Sequence, residues 1–189
     1  MTPEEKKVKR KSQRVLIIVA LIFILPLAAA KLVLSMGWYE TGVSNKGNLV
    51  TPAIQLSEAD NAALPDKWRI AYRMPAECGT ACVNSLYVAS QLHHALGRQQ
   101  ERVQPIAITG SGSAPGLPEL PADSTMLLVN AEGVHEALEN LPEHALLIID
   151  PVGSVVLWYA GSEDRKDTVM NGRDLLSDLQ KLLKLSRVG

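Results

Sequence analysis

Apolar and polar positions divide the chain into zones of different period. Residues 1–14 are polar, residues 15–30 (VLIIVALIFILPLAAA) are apolar throughout, and after Lys31 the run 32–38 is apolar again apart from Ser35. Together these runs reach the roughly 20 residues that an α-helix needs to cross a bilayer. Pro26 is a kink point, Lys31 can snorkel to the headgroups, and Trp38 and Tyr39 read as interface anchors. Beyond them the periods shorten. Apolar–polar alternation predicts a strand over 68–74, and the Gly- and Pro-free stretch 81–96 predicts a helix. A strand follows at 103–109, and strand–helix–strand at this length implies a parallel crossover. Residues 110–121 (GSGSAPGLPELP) read as a surface loop. A short strand at 125–130, a short helix at 132–139 and a buried strand at 145–150 come next. Asp150, Pro151, Val152 and Gly153 form a hairpin turn into a strand at 154–159. An amphipathic helix over 171–185 closes the chain, with Leu175, Leu176, Leu179, Leu182 and Leu183 on one face. The expected class is α/β, in four parts: a basic tail (1–14), a transmembrane anchor (15–38), an entry segment with a short strand near 48–50 (39–66) and one domain (67–189).

Charge orients this layout. Six cations precede the apolar span and only Lys46 follows soon after, which places the N-terminus in the cytoplasm. The remainder then faces the far side of a single-pass inner (plasma) membrane, the periplasm in a bacterium. A cleaved signal peptide is the rival, with Ala28, Ala29 and Ala30 as the cleavage site. The uncleaved anchor is preferred because the apolar run continues past those alanines to Trp38 and Tyr39. The chain holds 19 Lys and Arg against 20 Asp and Glu; residues 1–38 carry seven cations and two acids, leaving 12 and 18, a net of −6. An acidic, aromatic-poor domain lacks the basic footprint of nucleic-acid binding. No P-loop, dinucleotide fingerprint, zinc-spaced Cys/His set or nucleophile elbow occurs.

The candidate chemistry lies between the first domain strand and the first domain helix, in the stretch MPAECGTAC (74–82), which holds both cysteines of the chain. Strand, short loop and a cysteine pair opening a helix is how thioredoxin-like proteins present reactive sulfur. The amides and dipole of the helix start favour thiolate over thiol. Residues four apart share a helix face, so Cys78 and Cys82 are placed to form a disulfide or to grip one soft metal ion. The bland alternative is a pair of buried small hydrophobes or a static staple.

The order strand–CxxxC–helix–strand–loop–strand–hairpin–helix is that of a thioredoxin-like fold. With the single anchor, Cys78 and Cys82 after a strand, and the turn at Asp150, Pro151 and Gly153, the chain resembles the SCO/SenC copper-chaperone family. The run GVSNKGNLVTP (42–52) is closer still to a small bacterial group of membrane-anchored, SCO-like proteins associated with cytochrome c oxidase genes. The resemblance spans 42–185. It implies copper delivery to the Cu(A) centre of cytochrome c oxidase, or thiol reduction of that centre's cysteines, with the Cu(A)-carrying subunit as partner. In the family two cysteines and one distant histidine bind copper. Cys78 and Cys82 carry over directly. The histidine position falls at about Pro142, and His144, two residues on, keeps the same face of an extended strand. Gly79 and Val83 stand where the family has prolines.

Two uses of the pair remain open. Cu(I) takes soft thiolates with an imidazole, once both cysteines are reduced. Alternatively, Cys78 attacks a partner's disulfide and Cys82 resolves, as in a periplasmic thiol–disulfide oxidoreductase. A non-catalytic interaction protein is the third reading. Glu77 opposes thiolate formation by like charge. Met74 reads as core before axial ligand. His93 and His94 lie too far along their helix to reach the same ion. His135, among Glu132, Glu136 and Glu139, reads as a solvated face. Pro142 occupies the place where thioredoxin folds keep a cis-proline.

Overall fold

The structure is a computed structural model, and it describes residues 18–29, 31–32, 45–113, 118, 120 and 122–186. The chain forms two compact units, Met1–Ser44 and Asn45–Gly189. In the first, residues 18–29 are helical with exposed side chains. Among the described residues no helix is long and apolar enough to cross a membrane. The tail 1–14 and parts of the expected span 15–38 lie outside the described residues, as does much of the loop at 110–121.

The second unit is one six-stranded mixed sheet with helices on both faces. Its strands are β1 (Asn48–Gln55), β2 (Trp68–Arg73), β3 (Val103–Thr109), β4 (Leu127–Asn130), β5 (Leu146–Ile149) and β6 (Ser154–Tyr159), in the order β1-β6-β5-β2-β3-β4. Helices are α1 (Glu58–Ala62), α2 (Thr80–Ala95), α3 (Glu132–Ala137) and α4 (Arg165–Leu185), with a 3₁₀ turn at Gly97–Arg102. The expected crossover is present: β2 and β3 run parallel with α2 between them, and β3 pairs parallel with β4. β5 and β6 form the antiparallel hairpin around Asp150 and Gly153, and β5 lies antiparallel to β2.

Side-chain alternation assigns the strands to two cores. Ile70, Tyr72, Leu146, Ile148, Leu157 and Tyr159 point to the face covered by α2 and α4. Ala71, Ile106, Ile108, Leu147, Ile149 and Val155 point to the face that carries Val134 and Leu138. Leu175, Leu179 and Leu183 are the buried row of α4, one every four residues. Where α4 crosses α2, a Cβ on Gly172 would stand 2.5 Å from Val88 Cγ1, so the close approach needs glycine.

Several boundaries differ from the hydropathy reading. β1 is eight residues long rather than a short strand at 48–50, and it pairs antiparallel with β6 as an edge of the sheet. The compact unit therefore takes in residues from Asn45 onward. α4 begins at Arg165, six residues before the predicted start, and is capped by Asp164, whose side chain accepts from the Lys166 amide. The entry into β1 is held by Asp178 of α4. This carboxylate is 2% exposed and accepts from the amides of Lys46 and Gly47 and from the Tyr159 hydroxyl. Burial alone would raise its pKa, but these donors and the Lys181 ammonium hold it below the ordinary carboxylate value.

Candidate functional site

The fold brings the end of β2, the start of α2 and the loop before β5 to one end of the sheet. Met74 follows β2 and is fully buried; its amide donates to Ile108 O at 2.9 Å, extending the ladder by one residue. Its carbonyl accepts from His135 Nε2 (3.0 Å) and Ser113 Oγ (3.2 Å). His135 is therefore not on a solvated face. It is half-buried at the end of α3 and braces the last fixed residue before the cysteine loop. Ser111, in the same loop as Ser113, donates to Glu132 of α3.

From Met74 the chain runs through Pro75, Ala76 and Glu77 to Cys78, which is half-buried. Cys78 lies just ahead of α2 rather than on it, whereas Cys82 is the third residue of the helix and is 0% exposed. Their sulfurs are joined in a disulfide, with Cα atoms 5.2 Å apart. Gly79 is the helix N-cap and makes no side-chain cap bond. The first amides of α2 thus face the loop that carries Cys78. Cys78 is partly buried at the edge of an apolar cluster, and Cys82 is sealed within that cluster with Tyr72 and Met74. That asymmetry suits an attacking and a resolving cysteine.

His144 lies in the loop before β5 in the left-handed region, with φ +60. Its Nδ1 lies 2.9 Å from the Tyr72 hydroxyl. Burial pushes the Tyr72 pKa well above its ordinary value, against the lowering effect of Arg73, so the hydroxyl stays protonated. The His144 carbonyl accepts from Ser85 Oγ of α2 at 3.0 Å. A cleft of about 240 Å³ lies between this loop and the cysteine loop, lined by Arg73, Met74, Pro75, His135, Pro142 and His144 among others. Pro142 lines it with a trans peptide, since Thr51–Pro52 is the cis bond found among the described residues. The feature that shapes this loop is the left-handed His144 instead.

Of the two remaining histidines, His93 is a hydrogen-bonded core residue. His93 is 8% exposed; its Nε2 lies 3.1 Å from Val103 O and its Nδ1 lies 2.7 Å from Thr125 Oγ1. His94 Nε2 stands 3.4 Å from the Asp123 carboxylate. Among the described residues no group of three or more His, Cys, Asp and Glu is arranged to hold a metal ion. With the sulfurs bonded to each other there is no thiolate to offer; the reduced pair supplies two soft donors. His144 is not gathered with them into a three-donor set in this oxidised arrangement.

Tyr72, Ser85 and Gly161 were not expected. Tyr72 and Ser85 carry weak signals, being on the same strand face as Met74 and one turn past Cys82. Gly161 carries none in sequence.

Residues 68–186 match a family model described as the transmembrane-like, thioredoxin-like, C-terminal domain. The chain belongs to this family. The thioredoxin-like domain is also similar to solved structures of low identity. Apo Sco1 from Thermus thermophilus is 16% identical over 73% of this chain and 96% of that one, with TM-score 0.48. A SCO1/SenC family lipoprotein from Bacillus anthracis is 17% identical over 71% and 95%, with TM-score 0.43. Copper-bound ScoI from Bradyrhizobium japonicum is 15% identical over 70% and 98%, with TM-score 0.40. No curated protein matches. These likenesses are distant, and the fold rests on the family match and on the strand order.

Proposed function

We propose that the protein is a membrane-tethered, SCO-like thiol-redox factor that serves the Cu(A) centre of cytochrome c oxidase from outside the cytoplasm. The observation that carries this reading is the Cys78–Cys82 disulfide at the loop–helix junction, with Cys78 partly buried and Cys82 fully buried. In the reducing direction the Cys78 thiolate attacks a client disulfide, forming a mixed disulfide and releasing one client thiolate. The Cys82 thiolate then attacks Cys78, which frees the second client sulfur and closes the Cys78–Cys82 bond. Two electrons pass to the client, and solvent supplies protons to its two sulfurs. Residues 15–38 are the tether and residues 1–14 its cytoplasmic tail.

Copper handling by the reduced pair is the second reading. It is favoured by two sulfurs held within bonding distance at a helix start, a donor pair suited to Cu(I), with His144 as the third donor. A general thiol–disulfide oxidoreductase and a fold that uses its disulfide as a staple are the competing readings.

One preparation separates them. The full chain in detergent is reduced and titrated with Cu(I), and wild type is compared with Cys82→Ser and His144→Ala; the potential of the pair is measured in a thiol redox buffer. A potential in the catalytic range, about −120 to −270 mV, is expected, with Cys82→Ser trapping a mixed disulfide with a model client. One-to-one Cu(I) binding lost in Cys82→Ser adds the copper role. No Cu(I) binding together with a bond resisting reduction below about −300 mV overturns both and leaves the staple.

A further inference from the structure

Ser85 is fully buried on α2, three residues past Cys82 and so on the same side of the helix. Its hydroxyl donates to the His144 carbonyl at 3.0 Å. Gly161, in the loop before α4, closes the arrangement: a Cβ there would stand 2.2 Å from His144 O and 2.4 Å from Ser85 Oγ. Three chain segments therefore meet with no room for a methyl group. Asn84, the neighbour of Ser85, donates to the Ser162 and Glu163 carbonyls of that same loop. The ring of His144 is tied from the other side by Tyr72, which packs in one apolar cluster with Cys82.

A non-glycine residue in the left-handed region persists where its surroundings hold it there. His144 is the third residue of a turn closed by the Ala145 amide donating to the Pro142 carbonyl at 3.3 Å, a position where positive φ is expected. Ser85 and Gly161 hold that turn in place, and Ser85 rides on the helix that carries Cys82. We infer that Ser85 is a positioning residue: it couples the cysteine end of α2 to the His144 loop, so that opening or closing the Cys78–Cys82 bond is felt at the His144 ring and in the cleft it lines. The coupling rests on the thiol-redox reading of the pair. It makes the cleft beside His144 differ between the oxidised and reduced protein.

The test uses the full chain in detergent with ¹⁵N-labelled histidine, recording the His144 ring resonances with the pair oxidised and reduced. Wild type is expected to show distinct ring shifts in the two states. In Ser85→Ala the difference falls to less than half, and the pair becomes about threefold easier to reduce in a thiol buffer, since a hydrogen bond holding the helix start is gone. Tyr72→Phe, which cuts the other tether, is read in parallel and is expected to diminish the same difference should Ser85→Ala fold poorly. A folded Ser85→Ala with an oxidised–reduced difference equal to wild type would overturn the coupling, and so would an unchanged difference in Tyr72→Phe should Ser85→Ala not fold. A wild-type ring indifferent to the redox state would also overturn it. Neither result touches the reading of the cysteines, which stands or falls on the measured potential and on trapping by Cys82→Ser.

Discussion

The two ends of β2 bury polar groups in opposite ways. At the start of the strand Arg69 is 1% exposed, and its guanidinium donates to Pro65 O (2.6 Å), Asn61 Oδ1 (2.8 Å) and Asp150 O (2.7 Å). The cost of burying that charge is met by strong hydrogen bonds, and the loops it ties together are fixed. At the far end of the strand the groups are under-used. His144 holds a left-handed backbone, and among the described residues its Nε2 makes no hydrogen bond. Cys78 is half-open, and a cleft separates the two loops. A satisfied buried charge marks a joint, whereas an open cleft beside a partly buried histidine leaves room.

The contrast is broken most severely at the Arg69 end. Arg69→Met strands three acceptors in the interior and is expected to lower stability by about 2–4 kcal/mol in urea unfolding, with the potential of the cysteine pair unchanged in the folded fraction. A loss under about 0.5 kcal/mol would show that Arg69 is not the joint described.

Asp178 offers an intermediate case, another buried charge with its donors in place. Asp178→Asn is expected to cost about 1–3 kcal/mol at pH 7 by weakening the hold on Lys46 and Gly47. The sign of the pH dependence follows from its lowered pKa. Its contribution is fully present above the unfolded value of 3.8 and is lost as pH falls through the lower folded value. The gap between wild type and variant in urea midpoint should therefore narrow only below about pH 4, and a constant gap down to pH 2 would contradict it.

The smallest effect is expected at the other end. His144→Gly gives up the Tyr72 hydrogen bond, worth about 1 kcal/mol, but relieves a left-handed cost of similar size. Stability should stay within about 1 kcal/mol of wild type, while reduction of a model client slows several-fold. A stability loss as large as that of Arg69→Met would make His144 a structural residue and erase the contrast.

The hydropathy pattern carried most of the element order. β3 and β6 fall where alternation places them, and β2 and α2 differ by one residue at their ends. α1 escaped it, because five residues with no buried side chain leave no periodicity to read. β1 was under-read for a related reason: only Val50 of its eight residues is buried, so an edge strand shows almost no alternation. The candidate site was half legible. Cys78 and Cys82 stand out because they are the chain's two cysteines. His135 was misread because the acidic residues around it suggested solvent, while its ring is turned toward the Met74 carbonyl.

By itself the sequence determined the kinds and order of most of the domain's elements, the amphipathic stripe of α4 and the placing of a sulfur pair where a strand hands over to a helix. These depend on local period and local spacing, which neighbouring residues encode together. Only the tertiary structure decided that β1 closes the sheet beside β6, that Pro142 is trans, and that the His144 turn docks against Ser85 and Gly161. Those outcomes depend on contacts such as the one between Ser85 and His144, 59 residues apart, whose existence requires the sheet to have assembled first.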